Sequence, residues 1–241
     1  MLPGEGLAII DRSAQVKTWG EADSPSPLGN MAKVLWLRLE AAEWEPYALE
    51  TKCKGEINGV RCTKPKGHGR VDVPKSFRED CNAAFGVWVN LSREKWKDDY
   101  GEGGARHRFL EVFGPFLGDR LPKGPALPEK FGTEWFADGQ LLLASPAQLA
   151  QWLAKPAQEG LLPKMRSYLL GFRDFAIGTR GQWWIKAFES AALHPPGQGN
   201  VLAQAWVLGG DSSTTVVFRP QPGVPPKEAQ ARFMVLMGVK K

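Results

Sequence analysis

The stretch Pro27-Leu28-Gly29-Asn30-Met31-Ala32-Lys33-Val34-Leu35-Trp36-Leu37-Arg38-Leu39-Glu40-Ala41-Ala42 organises the chain around it. An asparagine side chain can accept one of the orphan backbone N–H groups of a first helical turn, so a helix is expected to begin at Asn30 as its N-cap. The residues that follow are apolar on almost every side, with only Lys33, Arg38 and Glu40 interrupting them, and a helix apolar all round belongs in the middle of a protein. Its approach, Ser24-Pro25-Ser26-Pro27-Leu28-Gly29, is too rich in proline to read as regular structure. Before that, Leu7–Ile10 and Val16–Trp19 flank Asp11-Arg12-Ser13-Ala14 and read as a β-hairpin.

Beyond the central helix, residues 45–70 read as irregular. Val73–Trp88 is predicted as one helix with Phe77, Cys81, Ala84, Phe85 and Trp88 on a buried face. Asn90–Pro128 is rich in glycine and charge, with a short helix expected near Arg106–Val112. Ser145-Pro146 is a strong helix start, with serine as cap and proline in the first turn, and a further helix is expected over Pro163–Leu170. Gln182–Phe188, Val201–Leu208 and Thr214–Phe218 read as three antiparallel strands, and Lys227–Val239 as a helix packing on them through Ala231, Met234, Val235 and Gly238. The fold class is therefore α+β: an antiparallel sheet formed by both chain ends with flanking helices, plus a helical lobe. A single domain over 1–241 is expected, with a sheet lobe of 1–67 and 176–241 and a helical lobe of 68–175.

With 43% hydrophobic and 24% charged residues among 241, the chain is neither disordered nor a coiled coil. No run of about 18 apolar residues is present, so no membrane-spanning segment is expected. The formal charge of +5 is scattered, and its densest part, Lys52–Arg70, contains no aromatic residue to stack on bases; no nucleic-acid partner is expected. Met1–Gly6 has neither the basic start nor the apolar stretch of a secretory signal, which fits a cytoplasmic protein or a trimmed one. Three cysteines are too few for a disulfide framework, but Cys53 and Cys62 bracket a turn and form a disulfide candidate, which would imply an oxidising compartment. Cys53, Cys62, His68 and Cys81 carry zinc-compatible atoms. Their spacing lacks a Cys-x-x-Cys pair, and Cys81 falls on an apolar helix face, so neither a metal nor a cofactor is expected. His107 reads as a surface residue, His194 as a loop residue, and Trp183, Trp184 and Trp206 as core.

Acyl transfer of the serine–lysine type needs a nucleophile at a helix start and a lysine one turn later, which is the spacing of Asn30 and Lys33. The segment Pro27–Lys33 resembles the first motif of penicillin-binding transpeptidases and serine β-lactamases, with Asn30 at the serine position. Cys62, Gly67-His68-Gly69, Val71-Asp72-Val73 and Asp80-Cys81-Asn82-Ala83-Ala84-Phe85 are similar to the segment leading into the Ser-x-Asn motif, its serine falling on Asp80. Ala137–Ala150 resembles the glycine turn and Ser/Thr-Pro-x-Gln-Leu-Ala helix of transpeptidases. Trp184–Glu189 and Ala205–Gly209 resemble the Lys-Thr-Gly strand and its partner, with Lys186 as the lysine. The landmarks keep the family's order over roughly Gly6–Val239.

The departures bear on function. A carboxamide at Asn30 is not a nucleophile, because its nitrogen lone pair is delocalised into the carbonyl. A carboxylate at Asp80 would favour the charged form of Lys33 and weaken it as a base. Strand alternation puts Phe188 on the face of Lys186, and it is expected to project into the substrate groove. The only Ser-x-x-Lys match, Ser92–Lys95, is expected about once by chance with ten serines and has the polar surroundings of a solvated helix end. The resemblance thus implies a transpeptidase-like protein that is catalytically silent, with no intact catalytic residue. It would bind through Lys33, Asn82, Lys186, Phe188 and Glu189 to a peptidoglycan stem peptide or an envelope protein, in a periplasmic or other extracytoplasmic setting. The alternatives are an active acyl-serine transpeptidase, carboxypeptidase or β-lactamase-like enzyme, and a small metal- or nucleic-acid-binding module built on the Cys53–His68 loop.

Overall fold

Runs of alternating side chains at the two chain ends pair into one sheet. The computed structural model describes residues 1–43, 49–62, 64–118, 142–158, 175–178, 181–189, 204–211 and 213–240. The hairpin is β1 (Gly6–Ile10) and β2 (Val16–Gly20). The C-terminal strands are β9 (Phe175–Gly178), β10 (Gly181–Glu189), β11 (Ala205–Gly210), β12 (Thr215–Arg219) and β13 (Val239–Lys240). Their order is β13-β9-β10-β11-β12-β1-β2, all antiparallel, so β1 pairs with β12 and the chain ends meet in mid-sheet. The fold class is α+β. The strands β9 and β13 are additional to the expected three, the last helix ending at Met237 so that Val239 enters β13 instead, and the predicted Pro163–Leu170 helix and residues 201–203 lie outside the described residues.

Alternation gives the sheet two dry faces. Trp183, Ile185, Val207, Val216 and Phe218 face α5 (Pro226–Met237), whose buried residues are Ala229, Phe233 and Met234. The expected packing face of that helix is corrected: Val235 is 73% exposed. A Cβ on Gly209 would lie 2.7 Å from Phe233 Cζ, so helix and strand meet where a side chain is absent. Trp184, Phe188, Trp206, Leu208 and Val217 face the larger core formed with the helices of the other layer.

That layer contains α1 (Ala32–Glu43), α2 (Val73–Arg78), α3 (Asn82–Leu117) and α4 (Pro146–Gln158). Every residue from Met31 to Leu37 is buried, as a helix apolar all round requires. Asn30, however, is not its N-cap: it lies inside a 3-10 turn, Gly29–Met31, that precedes α1 and has no side-chain cap. Ser145 does cap α4, its Oγ accepting from Gln148 N at 3.0 Å. The Val73–Trp88 segment is two helices, broken at Glu79–Cys81. The Gly-rich segment after Asn90 is helical to Leu117, with a break at Gly101 (φ 67°). Ala105, Phe109, Val112, Phe113 and Phe116 hold its second half to the core.

Residues 45–70 were expected to be irregular, yet Glu50–Cys53 (β4) pairs with Gly69–Asp72 (β7), enclosing the small hairpin β5 (Glu56–Ile57) and β6 (Val60–Arg61). The proline-rich approach contributes β3 (Ser26–Pro27), paired with β8 (Leu143–Ala144). Proline is tolerated in so short an edge pairing. Buried Arg219 holds this approach in place, with Nη1 donating to Ser26 Oγ at 2.9 Å and Nη2 to Glu21 O at 3.1 Å. Trp206 Nε1 adds a 2.7 Å bond to Pro27 O.

Candidate functional site: an ion cluster where three elements meet

Residues distant in sequence converge at the junction of α1, the α2–α3 break and β10. Lys186 Nζ is 2.8 Å from Asp80 Oδ2 and 3.4 Å from Arg78 O. Lys33 Nζ is 3.7 Å from Asp80 Oδ1. One carboxylate therefore lies between two ammonium groups and leaves the trio with an excess positive charge. Lys33 is fully buried and Lys186 nearly so, while Asp80, with its side chain 30% exposed, opens the cluster to solvent. Burial pushes the Lys33 amine down to about 8; Asp80 opposes this, and the neighbouring Lys186 charge reinforces it. The expectation that Asp80 would favour the Lys33 ammonium has the right sign for that one interaction, but desolvation is larger.

Backbone geometry explains how Asp80 reaches this position. At the end of α2, Cys81 N donates to Ser76 O at 2.9 Å and Asp80 N to Phe77 O at 3.4 Å. This is the paired pattern of a Schellman C-cap, whose penultimate residue is left-handed. Glycine usually occupies that position, but here Asp80 does so with φ 50°. Aspartate tolerates this region better than most residues, and its carboxylate is aimed between the two amines. α3 then starts immediately at Asn82.

Asn30 Oδ1, Asn82 Oδ1, Lys33 Nζ, Asp80 Oδ1 and Trp184 Nε1 are all buried without a hydrogen-bond partner among the described residues. Buried polar atoms are nearly always satisfied, so such a set on neighbouring elements marks a place where water or a ligand completes the bonding. The 3-10 turn that carries Asn30 lies against β10, the strand of Lys186. Phe188 shares the Lys186 face, with the amine 5.5 Å from its ring centroid. It is fully buried, however, rather than projecting into an open groove, because it belongs to the sheet-to-helix core. Glu189 ends β10 opposite Ala205; its side chain, the Ala137–Leu141 turn and His194 lie outside the described residues.

The buried serines are otherwise engaged. Ser92 is not at a solvated helix end: it is fully buried, accepts from Trp36 Nε1 at 2.9 Å and donates to Trp88 O at 3.1 Å. Ser76 donates to Val73 O at 2.6 Å and accepts from Trp88 Nε1 at 3.2 Å.

The sheet order, the central helix and the lysine pair can now be set beside known proteins. No family model and no curated protein sequence matches the chain. Among solved structures, the class D β-lactamase OXA-427 superposes with a TM-score of 0.60 at 17% identity, over 96% of this chain and 95% of that one. The C-terminal domain of the Bacillus licheniformis BlaR penicillin-receptor gives 0.59 at 13% identity, over 99% and 92%. Pseudomonas aeruginosa PBP2 gives 0.60 at 11% identity, over 98% and 70%. The fold is that of the penicillin-binding proteins and serine β-lactamases.

On this penicillin-binding fold the cysteines are not placed as the sequence spacing suggested. Cys53, Cys62 and Cys81 are all free thiols, so the Cys53–Cys62 bridge is not formed. Cys81 does not sit within a continuous apolar helix face; it is the residue before α3. There its Sγ is 3.9 Å from Cys62 Sγ, and Cys62 Sγ is 3.1 Å from His68 Nδ1. Linear spacing hid this grouping because the β4–β7 pairing, not a local knuckle, brings the four residues together. Of the remaining sequence assignments, His107 is exposed, and Trp183, Trp184 and Trp206 are core. No helix among the described residues is long and apolar enough to cross a membrane.

Proposed function

We propose that this protein is a catalytically silent member of the penicillin-binding transpeptidase-like group that works as a binding or scaffolding module of the cell envelope. The observation that carries the reading is Asp80 held between Lys33 and Lys186, with a carboxamide, Asn30, three residues before Lys33 in the turn that leads into α1. A serine–lysine enzyme needs a hydroxyl beside a neutral amine. Here the helix-start residue offers no hydroxyl, and the amine is buried beside a carboxylate and remains largely charged at neutral pH. The surplus positive charge and the unsatisfied polar atoms favour an anionic ligand with amide groups, which suits the C-terminal carboxylate of a peptidoglycan stem peptide. An extracytoplasmic location follows from that ligand, and the division into a sheet lobe (1–67 and 176–241) and a helical lobe (68–175) belongs to the same proposal.

Calorimetric titration with a synthetic stem pentapeptide, followed by mass analysis of the peptide, tests the reading. Reversible binding that weakens about tenfold or more in Lys186→Met, with the peptide recovered intact, is the expected result. Release of its terminal residue, or binding indifferent to Lys186, contradicts the proposal.

A further inference from the structure

Three thiols and one imidazole are brought together by four separate pieces of chain. Cys53 ends β4, Cys62 follows the β5–β6 hairpin, His68 precedes β7, and Cys81 precedes α3. Their ligand atoms all lie within 4.8 Å of one another. A tetrahedral zinc ion with Zn–S near 2.3 Å and Zn–N near 2.0–2.1 Å has S···S edges of about 3.8 Å and S···N edges of about 3.6 Å. The Cys62–Cys81 separation of 3.9 Å matches the first edge, and the Cys62–His68 separation of 3.1 Å is within half an ångström of the second. We propose that Cys53, Cys62, His68 and Cys81 form a four-coordinate structural zinc site.

Three further features support a built site. Cys53, Cys81 and the His68 ring are buried, and Cys62 is half-buried, so all four lie where a closed structural site needs them. His68 Nε2 faces Glu79 Oε2 at 4.0 Å. A carboxylate on that side favours the tautomer with the proton on Nε2, leaving the Nδ1 lone pair towards the sulfurs, as a metal-bound histidine requires. The backbone is also shaped around the cluster. Asn58 and Gly59 (φ 50° and 82°) make the tight turn of the hairpin, and a Cβ on Gly67 would lie 2.2 Å from Cys53 O. Two-residue strands such as β5 and β6 are too short to hold a hairpin by pairing alone, and a metal clip supplies what their hydrogen bonds lack.

A set of three sulfurs and one nitrogen selects zinc over magnesium or calcium, which prefer oxygen. Binding replaces three thiol protons: Zn²⁺ and three Cys–SH give a tris-thiolate complex with His68 neutral, and three protons pass to solvent. The consequence reaches the ion cluster, because Cys81 is the neighbour of Asp80 in the Schellman turn. A ligand bond at Cys81 would fix that turn and with it the carboxylate between Lys33 and Lys186. The zinc proposal does not depend on the cleft being silent or on what it binds.

The test is metal analysis of the full-length protein, prepared without a histidine tag in reducing buffer, stripped with chelator and then titrated with Zn²⁺ or Co²⁺. About one equivalent of zinc is expected, and the cobalt form should show thiolate charge-transfer and tetrahedral d–d bands. Cys62→Ser and His68→Gln should each lose most of the metal, and Glu79→Gln, outside the ligand set, should weaken it about tenfold. The wild-type cobalt spectrum needs no variant, so a variant that fails to fold does not leave the question open. Uptake below about a tenth of an equivalent, octahedral cobalt bands, or full zinc retention in folded Cys62→Ser overturns the proposal. So does a Cys62–Cys81 disulfide that persists in reducing buffer.

Discussion

Replacing Lys33 with methionine should stabilise the protein at neutral pH. Lys33 is completely buried, with its amine over the Phe85 ring, and that amine is held near 8 against an ordinary value of 10.5, chiefly by desolvation. A depression of this size corresponds to a destabilisation of about 3 kcal/mol whenever the folded protein must keep that amine charged. Methionine has nearly the same reach and no charge. Asp80 would not be orphaned, because Lys186 remains 2.8 Å away. That figure is already net of the Lys33–Asp80 attraction, and with imperfect packing of the methionine side chain an increase of about 1–3 kcal/mol is expected at pH 7. The pH dependence has a defined sign. Above 10.5 the amine is neutral in both states, and between 10.5 and about 8 the unfolded chain holds the proton that the folded one has lost. Wild-type stability contributed by this group therefore rises with pH through that window, and the advantage of Lys33→Met shrinks towards zero. Urea unfolding of both proteins between pH 7 and 9.5 measures the difference directly. A variant destabilised by more than about 1 kcal/mol at pH 7, or a difference independent of pH, would refute the reasoning.

Asp80→Asn keeps the tolerance for a left-handed backbone but leaves two ammonium groups facing each other, and should cost about 1–3 kcal/mol in urea unfolding, discounted because Asp80 is partly exposed. Ser92→Ala strands the buried Trp36 indole N–H and should cost about 1–3 kcal/mol, with a change in tryptophan fluorescence on the same samples. Asn30→Ser restores the missing hydroxyl but not a neutral Lys33, and should remain unlabelled by a fluorescent β-lactam at pH 7; covalent labelling would show that only the nucleophile was lacking.

Where side-chain periodicity met the core directly, the sequence was readable. The short apolar run Leu7–Ile10, the β-branched and aromatic run Thr214–Phe218, the Ser145-Pro146 start and the apolar run after Asn30 all became the elements their patterns imply. The Asn30, Asp80 and Lys186 assignments were legible only through the order of the motif resemblances, and the structure places Asp80 and both lysines together. What was hidden depended on contacts between distant segments. The helix break at Asp80 needs a left-handed residue that glycine would have announced and aspartate did not. The helix expected near Arg106–Val112 is present but belongs to a much longer one, because the buried Ala105, Phe109, Val112, Phe113 and Phe116 at helical spacing outweigh the propensity cost of the surrounding glycines. The thiol–imidazole cluster left no local signature, since its four members are joined by strand pairing rather than by proximity in sequence.

Intact-mass spectrometry of the wild-type protein after exposure to excess benzylpenicillin examines the proposed silence most directly. With Asn30 in place of a nucleophile and Lys33 beside Asp80, the protein mass should be unchanged. A stoichiometric gain of one penicilloyl group, mapped to any serine of the chain, would contradict it.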